Sequence, residues 1–342
     1  MQTVRLSTWQ RVGPVITLLV LAPLIAEFLF GSTHITTSYL FIVQMGGYGC
    51  ASLIIRDLVR RQHKGWLAIL LLGVAYALLE ECVVLQSSLY PLFSQDIQHI
   101  YDRAFGVNWV YLLTMLVYES IWGIVLPILL CELIFPARRA EPWLNKQGFI
   151  ITIIGYLVGS GVAWFSWTQH AVPTFYPKLN YQPSLPTIAL AIVVAILIAV
   201  IALGPWPLPQ HIQTSKRSVP WPWLVGLLAF MLALPWFILI LFHYGVAPSI
   251  PVAIPLIGGI IWVALAFWLI WYWSGSTNWQ DRHLLALSMG ALLASMLAGF
   301  VTSGVALPID RIGKLVLNII AIVLLAYLGY KIRHKKLVPH GA

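Results

Sequence analysis

Five glutamates lie inside long apolar stretches of this chain: Glu27 in the first, Glu80 and Glu81 in the third, Glu119 and Glu132 in the fourth. Those three stretches contain no Lys or Arg. A carboxylate in hydrocarbon costs several kcal/mol unless it is protonated, paired or facing water, which makes each such group a functional-site candidate. Carboxylates held together also raise one another's affinity for protons. A cluster of them would hold a proton, a cation or a cationic ligand.

Depth decides which of these acids can meet. At about 1.5 Å per residue, Glu27 lies roughly 6 Å below the outer end of its stretch, Glu80 about 12 Å and Glu119 about 16 Å. The third and fourth stretches are consecutive and antiparallel, so Glu80 or Glu81 can meet Glu119 near the membrane middle. Glu27 would sit above, with Gln44 of the second stretch as a hydrogen-bonding partner. Neighbouring helical residues point about 100° apart, so Glu80 and Glu81 cannot face one partner together. Glu80 shares a polar stripe with Tyr76 and is expected to face a cavity, and Glu81 to pack against a Ser, Thr or Gln of another helix. Glu132 falls near the inner end, within reach of Arg138 or Arg139, and reads as a snorkelled surface pair. The expected ligand- or proton-binding residues are therefore Glu80, Glu119, Glu27, Gln44, Tyr76 and Glu81. No catalytic residue, metal ligand or cofactor is assigned.

The elements that must position these groups follow from composition. The chain has 342 residues, 60% hydrophobic and 9% charged, with a mean hydropathy of +0.87. Soluble domains carry about 25% charged residues, so this is a polytopic membrane protein. Apolar runs near 14–31, 38–55, 66–88, 108–134, 148–167, 187–204, 222–243, 252–273, 284–302 and 315–330 predict an all-α protein of ten spans. Such unbroken runs exclude a β-barrel. Residues 1–135 hold the first four spans and the buried carboxylates. Residues 136–342 supply six more spans as scaffold or cavity wall in the same membrane domain.

Lys and Arg alternate between loops, sixteen on one side against Arg103, Lys178, Arg311 and Lys314 on the other. This predicts a cell-membrane protein with both termini cytoplasmic. The first span follows only Arg5 and Arg11, with no cleavage pattern, and reads as a retained anchor. The net charge of +9 is then explained by topology and attraction to anionic lipid rather than by nucleic acid. Cys50, Cys82 and Cys131 all fall in spans and offer no disulfide framework.

Small residues four apart, as in Gly155, Gly159 and Ala163 or Ala291, Ser295 and Gly299, predict close helix packing. The run Gly46-Gly47-Tyr48-Gly49 reads as packing ahead of an unwound segment. Pro23, Pro127 and Pro235 are expected to kink their spans. Two long outer loops, 89–107 with Asp96, His99, Asp102 and Arg103, and 168–186 with His170, Pro173, Pro177 and Lys178, read as solvated connectors ahead of lids.

The segment Ala77-Leu78-Leu79-Glu80-Glu81-Cys82-Val83-Val84-Leu85 resembles the start of the paired-glutamate motif of the CPBP (CAAX-protease and bacteriocin-processing) intramembrane metalloprotease family. There, EExxxR on one helix precedes FxxxH on the next by some 35–40 residues, and the glutamates and histidines activate water at a metal for peptide hydrolysis. Here Glu119 stands 38 residues after Glu81, in Met115-x-x-x-Glu119. Leu85, Met115 and Glu119 occupy the Arg, Phe and His positions, so the resemblance implies a relative whose metal site is lost or changed.

Three functions fit these observations. The first is transport or binding of a proton, cation or small amphipathic ligand through an outward-facing acidic cavity. The second is a divergent or inactive intramembrane protease, and the third a non-catalytic membrane assembly subunit. The expected partners are the lipid bilayer, a small cationic or amphipathic ligand, and a second copy or a membrane partner docked on the small-residue faces.

Overall fold

The fold was analysed in a computed structural model that describes residues 7–91, 100–176, 181–208, 216–302 and 307–334. Arg5, Asp96, His99, Pro177, Lys178, Lys335 and Lys336 lie outside the described residues. Among the described residues, ten helices are long and apolar enough to cross a membrane. They are α1 (Thr8–Leu29), α2 (Ile35–Arg61), α3 (Trp66–Val84), α4 (Trp109–Ile134), α5 (Lys146–Phe175), α6 (Leu185–Leu203), α7 (Pro222–His243), α8 (Ala253–Ser274), α9 (Asp281–Val301) and α10 (Pro308–His334). Among the described residues, a short two-stranded ribbon, β1 (Arg103–Ala104) against β2 (Val107–Asn108), turns the chain into α4.

The helices begin where local chemistry says they should. Ser7, Asn145 and Ser184 accept hydrogen bonds from the backbone amides of Gln10, Gly148 and Thr187, capping α1, α5 and α6. Pro308 opens α10 with Asp310 in its first turn, a start compatible with proline's fixed φ and the helix dipole. That start lies seven residues before the apolar run at 315, so Asp310 and Lys314 belong to the helix and not to a loop. Both are buried.

Helix α4 is the centre of the bundle. It touches α1, α2, α3, α7, α8 and α9. In α3 and α4, 67% of the most apolar window is buried, against 11% in α8 and α10. Helices α5, α6, α8 and α10 are apolar but largely exposed, as hydrocarbon permits. Glycines allow the tightest crossings. A Cβ on Gly159 of α5 would stand 2.6 Å from Gly46 Cα of α2, and one on Gly290 of α9 would stand 2.1 Å from the Gly226 carbonyl of α7.

Loop contacts separate two ends. At one, Arg61 donates to the Leu144 carbonyl, Lys64 to Gly204, Arg138 to Gln10 and Arg11, and Arg139 pairs with Asp281. At the other, Thr36 binds Asp310, Tyr101 binds the Ile250 carbonyl and Asp102 binds His243. We call these the basic end and the opposite end.

Candidate functional site

Each of the first four helices changes character where its polar residue sits. The backbone opens into a π-helical turn at Leu24–Leu29 around Glu27, Met45–Gly49 around Tyr48, Glu80–Val84 at Glu80 and Glu81, and Glu119–Val125 at Glu119. Each π turn inserts one extra residue and rotates the face beyond it by about 100°. A fifth such turn, Phe165–Ala171, carries His170 on α5.

Proline and glycine shape the surrounding backbone. Pro127 has no N–H for the Gly123 carbonyl, four residues back, and Ser52 Oγ donates to that oxygen instead at 3.2 Å. Pro23 likewise frees the Leu19 carbonyl, and Gly49 packs over it, so closely that a Cβ there would lie 2.5 Å from the oxygen. Gly123 makes room for the site itself: a Cβ at that position would stand 3.1 Å from Glu119 Oε2 and 3.2 Å from the Tyr48 ring.

The side chains form a line running inward from the opposite end. Ser32 Oγ, exposed in the α1–α2 turn, donates to Glu27 Oε2 at 2.6 Å, and Thr33 Oγ1 donates to the same oxygen at 2.8 Å. Gln44 Nε2 donates to Thr33 Oγ1 at 2.6 Å. Tyr48 Oη stands 2.8 Å from Glu27 Oε1 and 3.1 Å from Glu119 Oε1. A phenol owns one proton, so it can donate to only one of two ionised carboxylates. Both contacts are satisfied when one carboxyl carries a proton and donates it to the phenolic oxygen. The geometry thus matches three groups sharing two protons.

Beyond Glu119 the line is interrupted. Glu119 Oε2, Glu80 Oε2, Tyr76 Oη and Gln44 Oε1 are buried without a hydrogen-bond partner. The Tyr76 ring packs between Tyr48 and Tyr156, at centroid distances of 6.0 and 6.5 Å. The structure therefore links Glu27, Glu119 and, through Thr33, Gln44. It leaves Glu80 and Tyr76 buried beside them without a direct bond. Glu81 accepts from Ser88 Oγ at 3.1 Å, seven residues along its own chain and not on another helix, because the π turn and the reversal after it fold Ser88 back over the helix end.

Glu132 is 4% exposed and bonds not to Arg138 or Arg139 but to Arg56 at 3.0 Å and, through both oxygens, to Arg60 at 3.0 and 2.9 Å. Its face of α4 turns toward α2, where Arg56 is wholly buried against the Trp143 ring at 3.3 Å. Lys314 is no outer-loop residue. Its ammonium donates to the Leu29 and Met296 carbonyls at 3.1 and 2.8 Å and lies 3.8 Å over the Phe300 ring.

Two cavities among the described residues lie at the ends of the bundle, and the lining of these two includes neither Glu80 nor Glu119. One, of about 20 Å³, opens beside Thr33, His34, Asp310 and Lys314 and has room for about one water. The other, of about 230 Å³, lies at the basic end. Tyr48 stands between Glu27 and Glu119, and its ring packs against that of Tyr76.

The opposite end is closed by a buried pair. Asp102 Oδ1 meets His243 Nδ1 at 2.8 Å, and Asp102 Oδ2 accepts from the Val110 and Tyr111 amides at 2.8 and 3.1 Å. Burial pushes the Asp102 carboxyl up, but His243 and the two amides outweigh it and hold the group below the usual carboxylate range.

Periodicity does not single out Tyr48 because its three glycine neighbours read as a packing motif. The available signal was one phenol at the depth of the acids. Among the described residues, no three His, Cys, Asp or Glu side chains are arranged to hold a metal. No family model, curated protein or solved structure matches this chain.

Proposed function

We propose that this chain is a multi-pass membrane protein that takes up a proton or a small cation at Glu27, Tyr48 and Glu119, and that this uptake serves transport. The basic end faces the cytoplasm, as the loop charges imply, and the site is reached from outside. One observation carries the reading: a continuous hydrogen-bonded line from exposed Ser32 through Glu27 and Tyr48 to Glu119 in the bundle interior. Hydroxyls and carboxyls in such a line can pass protons by exchanging donor and acceptor roles. The orphaned oxygens of Glu119, Glu80 and Tyr76 mark where a proton or cation would go next.

The test uses the full chain in proteoliposomes loaded with a pH dye, under an inside-negative potassium diffusion potential. Wild type should acidify the lumen, and Glu119→Gln and Tyr48→Phe should not, while Glu141→Gln behaves as wild type. Infrared difference spectra should show a protonated-carboxyl band that Glu119→Gln removes. Equal flux in all variants, or no flux and no such band in wild type, would overturn the proposal. A stoichiometric metal retained by purified protein and lost in Glu80→Gln would replace it with the intramembrane-protease reading.

A further inference from the structure

The 230 Å³ cavity at the basic end has the make-up of a binding site that the proton line does not use. Its polar wall is Arg60 and Arg139 with Glu132, and its apolar wall includes Trp66, Leu129, Leu133 and Leu284. Both guanidiniums are fixed in place. Arg60 uses three of its five N–H groups, on Glu132 twice and the Lys64 carbonyl, and its guanidinium carbon lies 5.4 Å over the Trp66 ring. Arg139 also uses three, on Asp281 twice and the Pro136 carbonyl. Each keeps two N–H groups for a further acceptor.

Charge points to the sign of that acceptor. Arg56 and Arg60 pair with Glu132, and Arg139 pairs separately with Asp281; together the two groups carry three positive charges and two negative, a net +1. One anion would neutralise it. The leucines and the Trp66 ring beside the arginines would suit a ligand with an apolar continuation, and basic pockets between helix ends are where anionic lipid headgroups bind. We infer that this cavity holds the phosphate headgroup of an anionic phospholipid, with Arg60 and Arg139 on the phosphate and the acyl region against Leu129, Leu133 and Leu284.

Detergent-purified full-length protein is titrated with phosphatidylglycerol, with phosphatidylcholine and with inorganic phosphate alone, following the thermal unfolding midpoint. Phosphatidylglycerol should raise the midpoint, and the other two should not. Arg139→Gln removes one anion donor, and Ala140→Trp blocks the exposed rim without touching charge. Each should weaken the phosphatidylglycerol response about fivefold, the scale of one cation at a membrane surface. Lys146→Gln, at the same end but outside the cavity, should keep it. A phosphatidylcholine response equal to that of phosphatidylglycerol would overturn the inference. So would an undiminished response in both cavity variants, or a loss in Lys146→Gln as large as in Arg139→Gln. Phosphate alone matching phosphatidylglycerol would assign the cavity to a free anion and overturn the lipid.

Discussion

Tyr48 and Glu132 show two ways of keeping a glutamate in a membrane. Glu119 meets a phenol and, among the described residues, no cation, and in the proposed function its charge state is the variable. Glu132 is held by two arginines. Tyr48→Phe should therefore cost about 1 kcal/mol of stability, the worth of one interhelical hydrogen bond in a bilayer, yet change the pH response of the protein. Glu132→Ala should cost about 3–5 kcal/mol, because it strands Arg56 in the interior without its counter-charge. Removing the surface partner of Arg138, by Glu141→Gln, should cost under about 1 kcal/mol. Thermal unfolding of the three variants in one detergent checks the order. Glu27 and Glu119 were legible in the sequence because acids stand out in apolar runs. The partners of Glu132 were not, since a helix face cannot be chosen from residue spacing when a π turn rotates it.

At the scale of the element, the spans were readable because each must be about twenty apolar residues long, a demand that hydropathy records directly. The π turns were not, since one extra residue in a helix leaves no compositional mark. The start of α10 is hidden from hydropathy for a related reason. Lys314 looks like a loop residue until its partners on α1 and α9 are known. Glycine contacts give a sharper prediction. Gly159→Leu should destabilise the α2–α5 seam by about 1–3 kcal/mol or abolish expression, because even a Cβ there meets the Gly46 backbone. Gly258→Ala in α8, where nothing lies within 4 Å, should be neutral or slightly stabilising. Expression and unfolding midpoints of the two separate seam from surface.

The whole molecule is fastened differently at its two ends, by arginine pairs at the basic end and by Asp102–His243 and Asp310–Thr36 at the other. The Asp102 carboxyl lies below its usual range, so its contribution is fully present above the unfolded value of about 3.9. It is lost as pH falls from there through the lower folded value. Asp102→Asn should therefore lower stability at neutral pH and flatten the acid limb of a plot of unfolding midpoint against pH. The line from Ser32 to Glu119 has an electrical consequence as well. Between Glu119 and the Arg56–Glu132 pair the bundle is packed with apolar side chains such as Ile124, Ile128 and Leu53, all fully buried. A proton that reaches Glu119 from the opposite end has therefore crossed part of the membrane field. A whole crossing changes the energy of an elementary charge by about 2.3 kcal/mol per 100 mV, and a charge stopped near the middle feels about half of that. With the opposite end outward, as proposed, the same glutamate would hold its proton more tightly in an energised membrane than in a depolarised one, and the cluster would be a voltmeter as well as an acid.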